Sequence, residues 1–120
     1  MKIAFTTSGM LLDGPLDPSF GRARSFLLYD LEKETFEIIG NQQNLDAAQG
    51  AGIQAAQMIA RTGASALVTG NCGPKAFRVL KAATIKVFNS NASTVTEALA
   101  QYRAGELTEA HSANVEGHWV

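Results

Sequence analysis

Apolar and polar positions along the 120 residues fall into short blocks whose period changes near residue 50. Residues 2–7, "KIAFTT", are a brief apolar run with glycine close behind, and they predict a buried strand. A connection rich in Gly, Pro, Asp and Ser fills 8–24. Two β-branched and aromatic runs follow, "SFLLYDL" (25–31) and "TFEIIG" (35–40), separated by charged "EKE", and they predict a hairpin. In the second run Phe36 and Ile38 alternate with Thr35 and Glu37, as on a half-covered edge strand.

Beyond residue 50 the period becomes helical. Ile53, Ala56, Ile59 and Ala60 share one face of a helix that Gly63 stops. "SALVTG" (65–70) is a continuous apolar run, the mark of a buried parallel strand. "PKAFRVLKAA" (74–83) begins with proline at a first helical position and lines up Ala76, Val79, Leu80 and Ala83. "TIKVF" (84–88) predicts a last strand. Thr94 and Glu97 then stand at capping-box spacing ahead of Val95, Ala98, Leu99 and Tyr102, and Gly105 ends that helix. The last fifteen residues read as an irregular tail in which Trp119 packs as an anchor.

The order β, β-hairpin, α, β, α, β, α predicts an α/β fold. Its later half is a βαβ alternation with parallel strands and right-handed crossovers. The hairpin forces one antiparallel strand. The economical arrangement is a five-stranded mixed sheet with helices on both faces and the first strand at its centre. The whole chain, 1–120, reads as one domain.

In such sheets ligands bind beyond the carboxyl ends of the strands, where the strand order reverses. Here that place lies between the first strand and the strand 65–70, and two connections leave it: the loop 8–24 and the turn "GNCGPK". The turn is glycine-rich and runs into a helix N-terminus, which favours an anion. Lys75 adds a full positive charge, and "SFGRAR" brings Arg22 and Arg24. The competing reading is a plain turn flanked by solvated charges. Met10, Leu11, Leu12 and Leu16 are apolar in a loop that would ordinarily be polar. They form a lid, a docking patch, or a small cluster beneath a folded-back loop.

Composition narrows the chemistry. With ten Lys and Arg against eleven Asp and Glu, the formal charge is −1. That balance gives no global attraction to nucleic acid or anionic membrane, and basic residues are not interleaved with aromatics. No apolar run approaches a membrane span, the N-terminus carries no signal pattern, and a single cysteine makes no internal disulfide, so a cytoplasmic protein is expected. Cys72 could be a nucleophile, a soft metal ligand, a pocket wall or a small residue in a tight turn. A nucleophile needs a base, and the two candidates, His111 and His118, both lie in the tail. Three scattered Cys and His residues do not make a zinc site. "GNCGPKA" lacks the P-loop spacing and its Lys-Ser/Thr pair. The first strand has no carboxylates for a two-metal centre.

The segments "DPSFGRARSFLLYD" (17–30), "GAGIQAAQMIARTGASALVTGNCGPKAFRVLKAATIKVF" (50–88) and "TVTEALAQYRAGELT" (94–108), with the closing "GHW", resemble the dinitrogenase iron-molybdenum cofactor biosynthesis family, and within it the orange-protein branch. The resemblance implies a ribonuclease-H-like three-layer α/β/α fold. It also implies non-enzymatic binding or carriage of a molybdenum- or iron-containing metal–sulfur cluster. In that branch the cluster is a mixed molybdenum–copper sulfide held largely without covalent bonds to protein. Carried over by position, the family's "FGRA" motif is Phe20, Gly21, Arg22 and Ala23, and its glycine turn is Gly70 to Pro74. The implied cluster-binding residues are Phe20, Gly21, Arg22, Arg24, Asn71, Cys72, Gly73 and Lys75, with Cys72 as a pocket wall and a soft contact to copper. Arg24 stands where many members have proline, Ser19 where some have histidine, and Cys72 where an aliphatic residue is usual. Members are often encoded beside P-loop ATPases of the cell-division or iron–sulfur-carrier type, which implies such a partner for an otherwise monomeric protein.

Overall fold

The computed structural model describes residues 1–45 and 50–113. The elements are β1 (Lys2–Thr7), β2 (Ser25–Asp30), β3 (Thr35–Gly40), α1 (Gln42–Leu45), α2 (Ala51–Arg61), β4 (Ala66–Thr69), α3 (Pro74–Ala82), β5 (Lys86–Asn89) and α4 (Val95–Arg103). The sheet order is β3-β2-β1-β4-β5, with β1 central as its buried run requires. β2 runs antiparallel to both β1 and β3, while β1, β4 and β5 are parallel. This is the expected ribonuclease-H-like arrangement with one antiparallel strand.

Period-2 alternation in the strands divides the core into two layers. Ala4, Phe26, Leu28, Leu67 and Val87 face α2 and α3. Ile3, Phe5, Leu27, Ala66 and Val68 face α4. The second layer needs only one helix because the loop after β1 helps to cover it, with Leu16 buried there and Leu12 packed alongside. That part of the loop is the cluster beneath a folded-back segment. Met10 and Leu11, by contrast, stay 69% and 61% exposed.

Several boundaries differ from the sequence reading, each for a local reason. The last strand begins at Lys86, not 84. Thr84 takes a left-handed conformation (φ 59°), and the Ile85 amide still bonds to Leu80 O at 2.9 Å to close α3. The same early stop leaves Ala83 exposed, outside the apolar face expected of it. In α2 the buried stripe is Ala51, Ala55, Ala56 and Ile59, so Ile53 and Ala60 sit on its margin. Small side chains let α2 and α3 approach closely: a Cβ added at Gly52 would stand 3.5 Å from Ala76 Cβ. The short α1 was not expected. Its polar sequence is held by Asn41, whose backbone carbonyl receives the Asn44 and Leu45 amides and whose side chain donates to Ala23 O at 2.8 Å. The cap on α4 is as read: the Thr94 hydroxyl accepts the Glu97 amide at 3.1 Å. No helix among the described residues is long and apolar enough to cross a membrane.

Candidate functional site

The C-terminal tips of β1 and β4 carry the two connections singled out above. Because Thr7 pairs with Ser25, the residues just before β2 lie at the same end of the sheet as those that follow β1 and β4. Arg22, Arg24 and the turn 70–74 therefore share that end.

Hydrogen bonds fasten the two connections together. The Asp17 amide bonds to Thr6 O at 2.8 Å, and the Thr6 hydroxyl donates to Asp17 O at 2.6 Å. The Thr6 and Thr69 hydroxyl oxygens are 3.0 Å apart, which links the two strand tips within the core. Ser19 and Asn71 form a parallel bridge, and the Phe20 amide donates to Asn71 O at 3.0 Å. Loop and turn thus continue the β1–β4 pairing past the end of the sheet. Gly70 is obligatory at this seam. A Cβ there would stand 2.6 Å from Pro18 O and 2.7 Å from Pro18 Cα, both backbone atoms.

The expected residues divide by depth. Phe20, Gly21, Cys72 and Gly73 are buried, and Phe20 packs against Phe26 with ring centroids 5.4 Å apart and planes tilted by 44°. Asn71 is half-buried; Arg22, Arg24 and Lys75 are exposed. None of these three cations joins an ion pair among the described residues. Lys75 stands in the first turn of α3, where no acidic residue offsets the positive end of the helix. A cation at that position is mildly unfavourable unless an anion lies nearby.

Cys72 sits in the core layer beside Phe20, Ala23 and Ala76 and is 1% exposed. Burial pushes its thiol up to about 12. A nucleophile or metal ligand must be a thiolate, and this environment opposes that form. His111, the one described histidine, is exposed and lies beyond α4. His118 and Trp119, together with "GHW", lie outside the described residues. Among the described residues no three His, Cys, Asp or Glu side chains gather to hold a metal ion.

Sequence reasoning missed Thr6, Thr69 and Pro18, and marked Ser19 only as a departure from the family pattern. A threonine at the tip of each of two adjacent parallel strands was the available signal for the first pair. The Ser19 hydroxyl is buried with no hydrogen-bond partner, alone in this among the described side chains. Also missed was a cavity of about 640 Å³ on the other side of the turn. Gly70, Asn89, Ser90, Gln101, Glu106 and Glu109 are among the residues that line it. Of the turn it touches only Gly70.

The sequence profile of the dinitrogenase iron-molybdenum cofactor family matches residues 1–105. Among solved structures, the apo form of the orange protein from Desulfovibrio gigas superposes with a TM-score of 0.92 at 41% identity, over 95% of this chain and 96% of that one. A NifB-like protein from Thermotoga superposes with a TM-score of 0.84 at 32% identity, over 97% and 98% of the two chains. An uncharacterized protein from Methanocaldococcus jannaschii is 33% identical over 110 residues, 89% of each chain. A profile match over most of the chain, together with relatives of this identity and coverage, places the chain in the dinitrogenase iron-molybdenum cofactor family.

Proposed function

We propose that the protein binds and carries, without catalysis, an anionic molybdenum-containing metal–sulfur cluster. The favoured cargo is a molybdenum–copper sulfide held mainly by non-covalent contacts. The observation that carries this reading is the exposure of three cations that join no ion pair among the described residues, Arg22, Arg24 and Lys75, on the two connections at one end of the sheet. A sulfide cluster is a large soft anion. It is held by diffuse positive charge, N–H and O–H donors and apolar walls, and needs no full set of cysteines.

In this reading Arg22, Arg24 and Lys75 supply charge and Asn71 supplies polar contacts. Phe20, Gly21, Cys72 and Gly73 shape the floor beneath them. The orphaned Ser19 hydroxyl fits the same purpose, since a buried O–H with no acceptor costs about 1–3 kcal/mol and a sulfide face would relieve that. The likeness to the orange protein supports the choice of cargo.

The test is anaerobic addition of tetrathiomolybdate and a copper(I) salt, followed by visible absorption. Charge-transfer bands shifted from those of the protein-free mixture, and retained through gel filtration, are expected. Bands identical to the mixture, or lost on the column, would end the proposal. Metal analysis of protein purified without oxygen from its native host then identifies the cargo.

Exposure of Met10 and Leu11 favours a second reading, a module that docks a P-loop ATPase of the cell-division or iron–sulfur-carrier type through this loop tip. The tip is a firm projection. The Gly14 amide bonds to Leu11 O, and Leu12 O receives both the amide and the hydroxyl of Thr96. Capture of such an ATPase that is lost in Met10→Ser/Leu11→Ser but kept in Arg22→Glu would select this reading.

A further inference from the structure

The cavity of about 640 Å³ beside β4 and β5 has a chemistry opposite to that of the cationic seam. Its charged lining among the described residues is Glu106 and Glu109, with no lysine or arginine. Glu109 is partly offset by Lys81 at 4.0 Å, whereas Glu106 joins no ion pair among the described residues. The neutral groups leave one acceptor and one donor. Asn89 donates its side-chain N–H to Gly70 O at 3.2 Å, which leaves its amide oxygen as an acceptor. Ser90 Oγ donates to Gln101 Oε1 at 2.7 Å, which leaves the Gln101 amide nitrogen as a donor. Leu107, packed partly on the core, adds a small apolar surface.

The walls are held in place. The Glu106 amide bonds to Gln101 O at 3.0 Å, and the Ala110 amide to Val87 O at 2.7 Å. Phe88 and Glu109 form an antiparallel bridge, so the segment after α4 lies along the outer edge of β5. The hollow is wide-mouthed rather than enclosed, and its volume lies within the usual range for small-molecule sites. Its negative charge repels a sulfide anion and suits a donor-rich cation.

We infer that this cavity is a second binding site, for a small cation bearing a guanidinium or primary amine on a short alkyl stem. The cationic head meets Glu106, Glu109 and the Asn89 oxygen, and the stem lies on Leu107. The inference is independent of the cluster reading, because the two sites share only Gly70 and attract opposite charges.

Agmatine is the probe, titrated into the ¹⁵N-labelled full chain and followed by amide chemical shifts. Saturable shifts at Gly70, residues 89–91, Gln101 and 106–110 are expected. Glu106→Gln, an exposed change, should weaken them roughly fivefold. Magnesium ion and inorganic phosphate are the comparison ligands. The inference is overturned if agmatine gives no saturable shift in this set, if remote acidic surface residues such as Asp13 and Glu32 respond equally, or if either comparison ligand binds there and agmatine does not. Glu106→Gln should leave the thiomolybdate–copper spectrum unchanged, so failure at one site does not imply failure at the other.

Discussion

At the scale of single residues, Cys72 and Gly70 show how little room the seam leaves. The Cys72 thiol is raised to about 12 by burial. It should therefore react with a chromogenic disulfide reagent on the order of 100-fold more slowly than free cysteine at pH 8. Comparable rates would show that the turn opens readily. The shift also couples to stability. Above about pH 9 the unfolded chain releases the thiol proton while the folded chain keeps it. Stability present below that pH is then lost as pH rises toward 12, by at most about 1.4 kcal/mol per pH unit. Urea midpoints measured from pH 8 to 10.5 should fall more steeply for the parent chain than for Cys72→Ala. The Tyr102 phenol, also raised by partial burial, acts in the same direction in both proteins and cancels in the comparison. Gly70 is a steric case. Gly70→Ala sets a methyl against Pro18 backbone and should cost about 2–3 kcal/mol in urea denaturation. Gly40→Ala meets nothing within 4 Å and should change stability by less than about 0.5 kcal/mol.

At the scale of elements, the hydrophobic period decided most of the fold. The buried run of β1, the hairpin and the three helical stripes are all signals from neighbouring residues, and each element appears where the pattern puts it, although Ile53, Ala60 and Ala83 fall outside the buried stripes. What the pattern did not carry was the exact ends, because those depend on backbone geometry rather than burial. Thr84 is the plainest instance. A β-branched residue gives no sign that it will be left-handed, yet its φ of 59° separates α3 from β5 and moves the strand start by two residues. That conformation costs a non-glycine residue about 1–2 kcal/mol. Thr84→Gly should therefore raise stability by about 1 kcal/mol, read as a higher urea midpoint with an unchanged slope. A loss would mean that glycine's greater freedom in the unfolded chain, together with the lost Thr84 hydroxyl contact to Ala83 O, outweighs the strain. The candidate site was legible as a place, since strand tips and a glycine turn are local features. Its depth was not. Nothing in "GNCGPK" says that Cys72 and Gly73 face inward while Lys75 faces out. The cavity was invisible for a related reason: its lining comes from the ends of β4 and β5, from α4 and from the segment after it, which only the fold brings together.

At the scale of the whole molecule, charge placement matters more than total charge. A formal charge of −1 gives no net pull on an anion, so attraction for a sulfide cluster must come from where the cations lie. Arg22, Arg24 and Lys75 occupy the end of the sheet defined by the tips of β1 and β4. Lys86 begins β5 and therefore lies at the opposite end. All four side chains are exposed, so reversing their charge should shift the urea midpoint little, within about 0.5 kcal/mol. Field effects on a polyvalent anion are larger and fall off over a Debye length, about 10 Å at 0.1 M salt. Arg22→Glu/Arg24→Glu should therefore lower the apparent affinity for tetrathiomolybdate with copper by roughly tenfold or more at low salt, with the difference shrinking as salt rises. Lys86→Glu should change it by less than about twofold. Equal losses in the two variants would mean that the anion senses only net charge. Affinity that ignores salt would mean that the cluster is held by bonds rather than by a field, and either result removes the cationic seam from its proposed role.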